Sequence, residues 1–150
     1  MKMTVKVRGD KEIMRALERL STEKKRLVKA EVHASGIDVQ REAKEKLREM
    51  KSWDLGNLAN SILAELTPDG MTAEVGPVAP YGHYVEVGTK PHFPPMDALE
   101  GWAKRHGFDS AWPICKVISE RGLPARPYLH PAWLVIKDKF WKKIKELLGR

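Results

Sequence analysis

The run Asn60-Ser61-Ile62-Leu63-Ala64-Glu65-Leu66, then Thr67-Pro68-Asp69-Gly70, then Met71-Thr72-Ala73-Glu74-Val75 decides the fold. Two alternating stretches flank a turn signature. Proline fixes φ at the value an early turn position needs, and glycine admits positive φ at no steric cost. An antiparallel hairpin is therefore expected, with strands over 60–66 and 71–75 and residues 67–70 as its surface turn. Gly76-Pro77 is expected to end it. Thr4 to Arg8 alternates around Val5 and Val7 and adds a candidate short strand.

Helical periodicity surrounds this hairpin. Gly9-Asp10 breaks the first strand, and Asp10 is a candidate N-cap. From there to about Met50, Ile13, Leu17 and Leu20 share one face, and Val28, Val32, Val39, Ala43, Leu47 and Met50 continue at steps of three, four and seven. Ser21-Thr22 offers a break, with Glu23 or Lys24 restarting the helix, so one long helix and two in series both fit. At the other end, Pro131 suits a first helical turn. Trp133, Ile136, Phe140, Ile144 and Leu147 then form an aromatic-rich face.

Residues 77–96 hold Pro77, Pro80, Pro91, Pro94 and Pro95, which excludes a long regular element. Tyr81 to Val87 fits a short helix or an edge strand. Asp97 to His106 reads as a helix with Leu99, Trp102 and Ala103 inward, stopped by Gly107. Asp109 or Ser110 caps another, with Pro113 in its first turn, Ile114, Val117 and Ile118 along it and Gly122 as its stop. The expected class is α+β: a long N-terminal helix and a C-terminal helix packed on a small antiparallel sheet of three to four strands. A chain of 150 residues fits a single domain with a real core.

Charge is uneven. The net charge is +7, with 14 basic and 9 acidic residues over 1–50, 2 and 5 over 51–96, and 6 and 2 over 132–150. The termini are basic and the middle acidic. Basic faces attract nucleic acid or acidic protein surfaces, yet no basic run is interleaved with aromatics, which weighs against a dedicated nucleic-acid site. No apolar run is long enough for a membrane span, and Met1-Lys2-Met3-Thr4-Val5 lacks the apolar core of a secretory signal. Cys115 is the only cysteine, so no internal disulfide forms and a reducing compartment is expected.

Catalytic and metal chemistry find little support. His83 and Glu86 are three apart, and His92, His106 and His130 are scattered. A zinc site needs three or four ligands in firm geometry, so structural hydrogen bonding is the favoured role. Glu86 as a general base needs a partner acid or nucleophile, and no second motif supplies one. Ser61 and Thr89 lack a nucleophile-elbow context. Cys115 sits beside Ile114 as a buried thiol. Gly76, Gly82 and Gly88 do not form a phosphate loop. No catalytic residue, cofactor or metal is therefore assigned. Loops built to one shape often carry function, and Pro80-Tyr81-Gly82-His83-Tyr84-Val85-Glu86-Val87-Gly88-Thr89-Lys90-Pro91 is such a segment. Tyr81, Tyr84, Glu86, Thr89, His92 and Phe93 are its candidate subunit or partner contacts, and Trp102 joins the tyrosines and Phe93 as a candidate pocket wall.

Three segments in order carry a resemblance: Asp54-Leu55-Gly56-Asn57-Leu58-Ala59-Asn60-Ser61-Ile62, the Pro80–Pro91 segment, and Gly122-Leu123-Pro124-Ala125-Arg126-Pro127-Tyr128-Leu129-His130-Pro131-Ala132. Together they resemble a siphophage family of small morphogenesis proteins, the tail-component or head–tail connector (neck, tail-completion) proteins. The resemblance covers about residues 25–135. Lys51 and Leu55 stand where the family often has Pro and Thr, Gly82 where Ala is usual, and Tyr128 where Phe is usual. The resemblance implies a non-enzymatic building block at the head–tail junction or tail end. It implies a ring of copies, often six-fold, between connector and tail tube, with connector, portal-associated and tail proteins as partners and DNA passing through. It also implies assembly in the host bacterial cytoplasm before incorporation into the virion. The rival reading is a basic nucleic-acid-binding protein or nuclease of phage or prophage origin.

Overall fold

The computed structural model describes residues 4–7, 15, 18–50 and 56–149. Its elements in chain order are β1 (Val5–Val7), α1 (Thr22–Glu49), α2 (Asn57–Asn60), β2 (Ile62–Leu66), β3 (Ala73–Pro77), α3 (Gly82–Val87), α4 (Met96–Arg105), α5 (Trp112–Arg121) and α6 (Leu129–Leu148). They fall into two compact units: Met1–Pro80 with Tyr128–Arg150, and Tyr81–Pro127.

In the first unit the sheet is antiparallel with strand order β1-β3-β2. Ala64 and Val5 flank Val75 on either side. The turn over 67–70 forms as expected: the Gly70 N–H donates to the Thr67 carbonyl at 2.8 Å, and Gly70 sits at φ 69°. Both strand starts differ from the expected ones. Asn57–Asn60 is a helical turn rather than strand, and β2 begins at Ile62. Gly56 enters that turn at φ 72°, and the Ser61 hydroxyl donates to the Leu58 carbonyl at 2.7 Å. Asn and Ser prefer such local bonds to a sheet ladder. β3 begins at Ala73 rather than Met71, because Met71 and Thr72 belong to the turn: the Thr67 N–H donates to the Thr72 carbonyl at 2.9 Å. It continues through Gly76 to Pro77, where a missing N–H is tolerated at a strand end.

The long helix breaks where Ser21-Thr22 allowed. Arg15 and Glu18 are helical, Ser21 is the N-cap, and its hydroxyl accepts from the Lys24 N–H at 3.4 Å. The expected cap Asp10 and the face residues Ile13 and Leu17 lie outside the described residues. Along α1 the stripe Val28, Val32, Val39, Ala43 and Leu47 is buried. Val28 and Val32 join Ala73, Phe140 and Ile144 in one core cluster, with Trp133, Trp141 and Leu147 packed against it. Burying each large side chain contributes about 1.5–3 kcal/mol, so this cluster is what holds α1, β3 and α6 together. A polar tie crosses the same contact: Lys143 Nζ lies 3.0 Å from Glu31 Oε2, and the Ser35 hydroxyl donates to Glu31 Oε1 at 3.1 Å.

The second unit holds α3, α4 and α5. Ala103, Ala111 and Cys115 form its buried cluster, with Met96, Leu99 and Ile114 against them. Pro113 lies in the first turn of α5 as expected, and the Trp112 N–H donates to Ser110 Oγ at 3.3 Å. Val117 faces solvent instead of joining Ile118, because it lies about 100° around the helix from it.

Candidate interaction surface

The Pro80–Pro91 segment resolves into a short helix and a clamp. Two helices end on glycine: the Gly88 N–H donates to the Tyr84 carbonyl at 2.9 Å, and the Gly122 N–H to the Ile118 carbonyl at 2.9 Å. Both glycines have positive φ, 74° and 71°. The residues after them pair as an isolated antiparallel bridge between Thr89 and Leu123. The Thr89 N–H donates to the Leu123 carbonyl at 2.9 Å, and the Leu123 N–H donates to the Thr89 carbonyl at 3.2 Å and to Thr89 Oγ1 at 3.0 Å. The Arg126 N–H donates to the Val85 carbonyl at 2.8 Å, and the His92 N–H to the Ile118 carbonyl at 3.3 Å. A Cβ on Gly88 would stand 2.5 Å from the Leu123 carbonyl oxygen, and one on Gly122 would overlap the Thr89 carbonyl oxygen. The Gly-Thr pair of the segment is thus a backbone crossing that no side chain permits.

This geometry sorts the six candidate residues. Glu86 is 4% exposed, and Thr89 is spent in the bridge. Tyr81, Tyr84 and Phe93 are exposed, Tyr84 by 53% and Phe93 by 57%, and Val87 joins them. His92 is exposed, with its Nδ1 2.9 Å from the Lys90 carbonyl oxygen. Tyr81, Tyr84 and Val87 recur every three residues along α3, while Gly82 and Glu86 are its buried positions. The result is a short apolar ridge on a clamped helix. Trp102 stacks on His106 at 4.0 Å between ring centroids. His83 Nδ1 is buried with no hydrogen-bond partner among the described residues. Among the described residues no group of three or more His, Cys, Asp or Glu side chains is placed to hold a metal ion, and no helix is long and apolar enough to cross a membrane.

Sequence reasoning missed the pairing of Thr89 with Leu123. The available signal was that two helix-stopping glycines are each followed by a residue suited to a strand, Thr89 and Leu123.

The fold defines a small α+β protein, a helix-covered three-stranded sheet accompanied by a helical unit. The chain belongs to the family described as "Bacteriophage HK97-gp10, putative tail-component", whose model matches residues 11–88. Its class is therefore that of phage structural tail components, which are parts of the virion. No curated protein and no solved structure matches the chain significantly.

Proposed function

We propose that the protein acts at the head–tail junction or the tail end, where copies assemble into a ring between connector and tail tube. Within that assembly the ridge of Tyr81, Tyr84, Val87 and Phe93 contacts a neighbouring virion protein. The observation that supports this is apolar exposure on a rigid support. Aromatic side chains dominate the energetic centres of interfaces. Here Tyr81 and Tyr84 project from a helix whose end is fixed by the Thr89–Leu123 bridge, and Phe93 from the loop that follows it. A preformed surface loses little freedom on binding, so more of its contact energy appears as affinity. The role is non-enzymatic, with Glu86 as a buried structural carboxylate.

The test is a phage, or a prophage induced from its host, that carries Tyr84→Ser together with Phe93→Ser. Both side chains are exposed, so the purified variant keeps its melting temperature within about 2 °C, as surface substitutions usually do. Unjoined heads and tails should accumulate. Joined particles at normal yield would rule out the ridge as the contact.

A further inference from the structure

We propose that the outer face of the sheet in one copy docks on the outward face of α6 in the next copy. This rests on the ring reading and names its subunit contact.

The sheet face away from the helices mixes aliphatic and acidic groups. Thr4, Leu63, Glu65, Glu74, Gly76 and Val78 line one shallow depression on it. Leu63 is exposed and Val78 is 64% exposed. Glu65 stands directly opposite Glu74 in the strand register, and Lys6 opposite Glu74 on the other side. Lys6 Nζ pairs with Glu74 at 2.7 Å. Glu65 has no ion pair among the described residues and faces a like charge across the ladder, an arrangement that destabilises an isolated sheet. No Lys or Arg occurs between Lys51 and Lys90. A cation for Glu65 must therefore come from a distant part of the chain or from another molecule.

The outward face of α6 is the complement. Leu134 and Val135 are exposed there, Val135 by 56%. Lys142 and Lys145 follow Leu134 by two and three helical turns on the same side. Their neighbours Lys139 and Lys143 are ion-paired to Asp38 and Glu31. Lys142 and Lys145 have no such partner among the described residues. Each surface thus carries an exposed aliphatic pair beside charge of opposite net sign, negative on the sheet and, with Asp138 also exposed on this side of the helix, still positive on α6. Two different patches on one molecule make a head-to-tail contact, the kind that closes into rings.

The test mixes two single-cysteine-added chains, Leu63→Cys and Leu134→Cys, under mild copper-catalysed air oxidation, which oxidises two thiols to one disulfide. Cys115 is buried and stays out of the reaction. The mixed disulfide dimer should exceed either homodimer by at least about tenfold. Adding Glu65→Lys to the first chain should lower its yield about tenfold at low salt, since like charges across an interface are strongly disfavoured. Adding Lys142→Glu and Lys145→Glu to the second chain should then restore it. Homodimers in equal or greater amount would overturn the contact. So would rings of the unaltered protein beside mixed chains that never cross-link, which leaves the ring reading standing. A mixed disulfide in chains that never close into rings would sustain the contact and defeat the ring. Loss of DNA binding without loss of cross-linking in the Lys142→Glu/Lys145→Glu chain would mark those lysines as a DNA surface, and would overturn their pairing with Glu65.

Discussion

Gly36 lies in the middle of α1, buried, where β3 passes closest to the helix. A Cβ at that position would stand 2.8 Å from Ala73 Cβ, which is fixed to the strand backbone. Glycine inside a helix costs about 1 kcal/mol relative to alanine, and the close approach of helix and strand is what it permits. Gly36→Ala should therefore destabilise the protein despite its gain in helix propensity. Overpacking a core costs about 1–3 kcal/mol, so the net loss should be about 1 kcal/mol in urea unfolding. Adding Ala73→Gly should recover part of it, because the two positions share one contact. A more stable Gly36→Ala variant would show that α1 and β3 have room to separate.

The side chains of Thr67 and Asp69 together hold the hairpin turn. Asp69 Oδ1 accepts from the Thr67 hydroxyl at 2.6 Å and from the Met71 N–H at 2.9 Å. These bonds, the Thr67 one first, hold the Asp69 carboxyl below the ordinary carboxylate range. A depressed folded-state pKa contributes stability that is present above the unfolded pKa and lost as pH falls through the folded one. In a carbon-detected NMR titration Asp69 should titrate below the ordinary carboxylate range, and Thr67→Ala should move it up toward that range. An unchanged titration in Thr67→Ala would remove the hydroxyl as the cause. The turn was legible in Pro68-Asp69-Gly70 because its signals are local, and so was the α6 face of Ile136, Phe140 and Ile144. The start of β2 was not, because the helical turn at Asn57–Asn60 depends on Gly56 adopting positive φ. The Thr89–Leu123 bridge was hidden for a different reason. It joins residues 34 positions apart, and no periodicity reports such a contact. Of the candidate contacts, the sequence singled out the segment but not which of its side chains face outward, since that depends on the same bridge.

At the scale of the whole molecule, the net charge of +7 invites a nucleic-acid reading, and ion pairing offsets part of that charge. Along α1, Lys24, Arg26, Lys29 and Lys44 have no ion pair among the described residues, while three further cations are answered on their own helix: Arg41 by Asp38 at 2.9 Å, Lys46 by Glu49 at 3.1 Å and Glu42 at 3.6 Å, and Arg48 by Glu45 at 2.7 Å. Exposed pairs of this kind add little stability, but they cancel the field that phosphates would feel. Each phosphate a protein neutralises steepens the dependence of log K on log salt by about 0.9 on duplex DNA. With no basic run interleaved with aromatics to make a dedicated site, and with Lys142 and Lys145 exposed on α6 for another use, the slope for the purified protein on random duplex should be shallower than about −3. Filter binding between 50 and 200 mM salt (about the range over which such slopes are read) measures it directly. A slope of about −6 or steeper, with a fixed monomeric mass, would favour the nucleic-acid binder over the structural component. A shallow slope leaves those two lysines available for the carboxylates of another protein surface, which is the use the sheet face of a second copy would make of them.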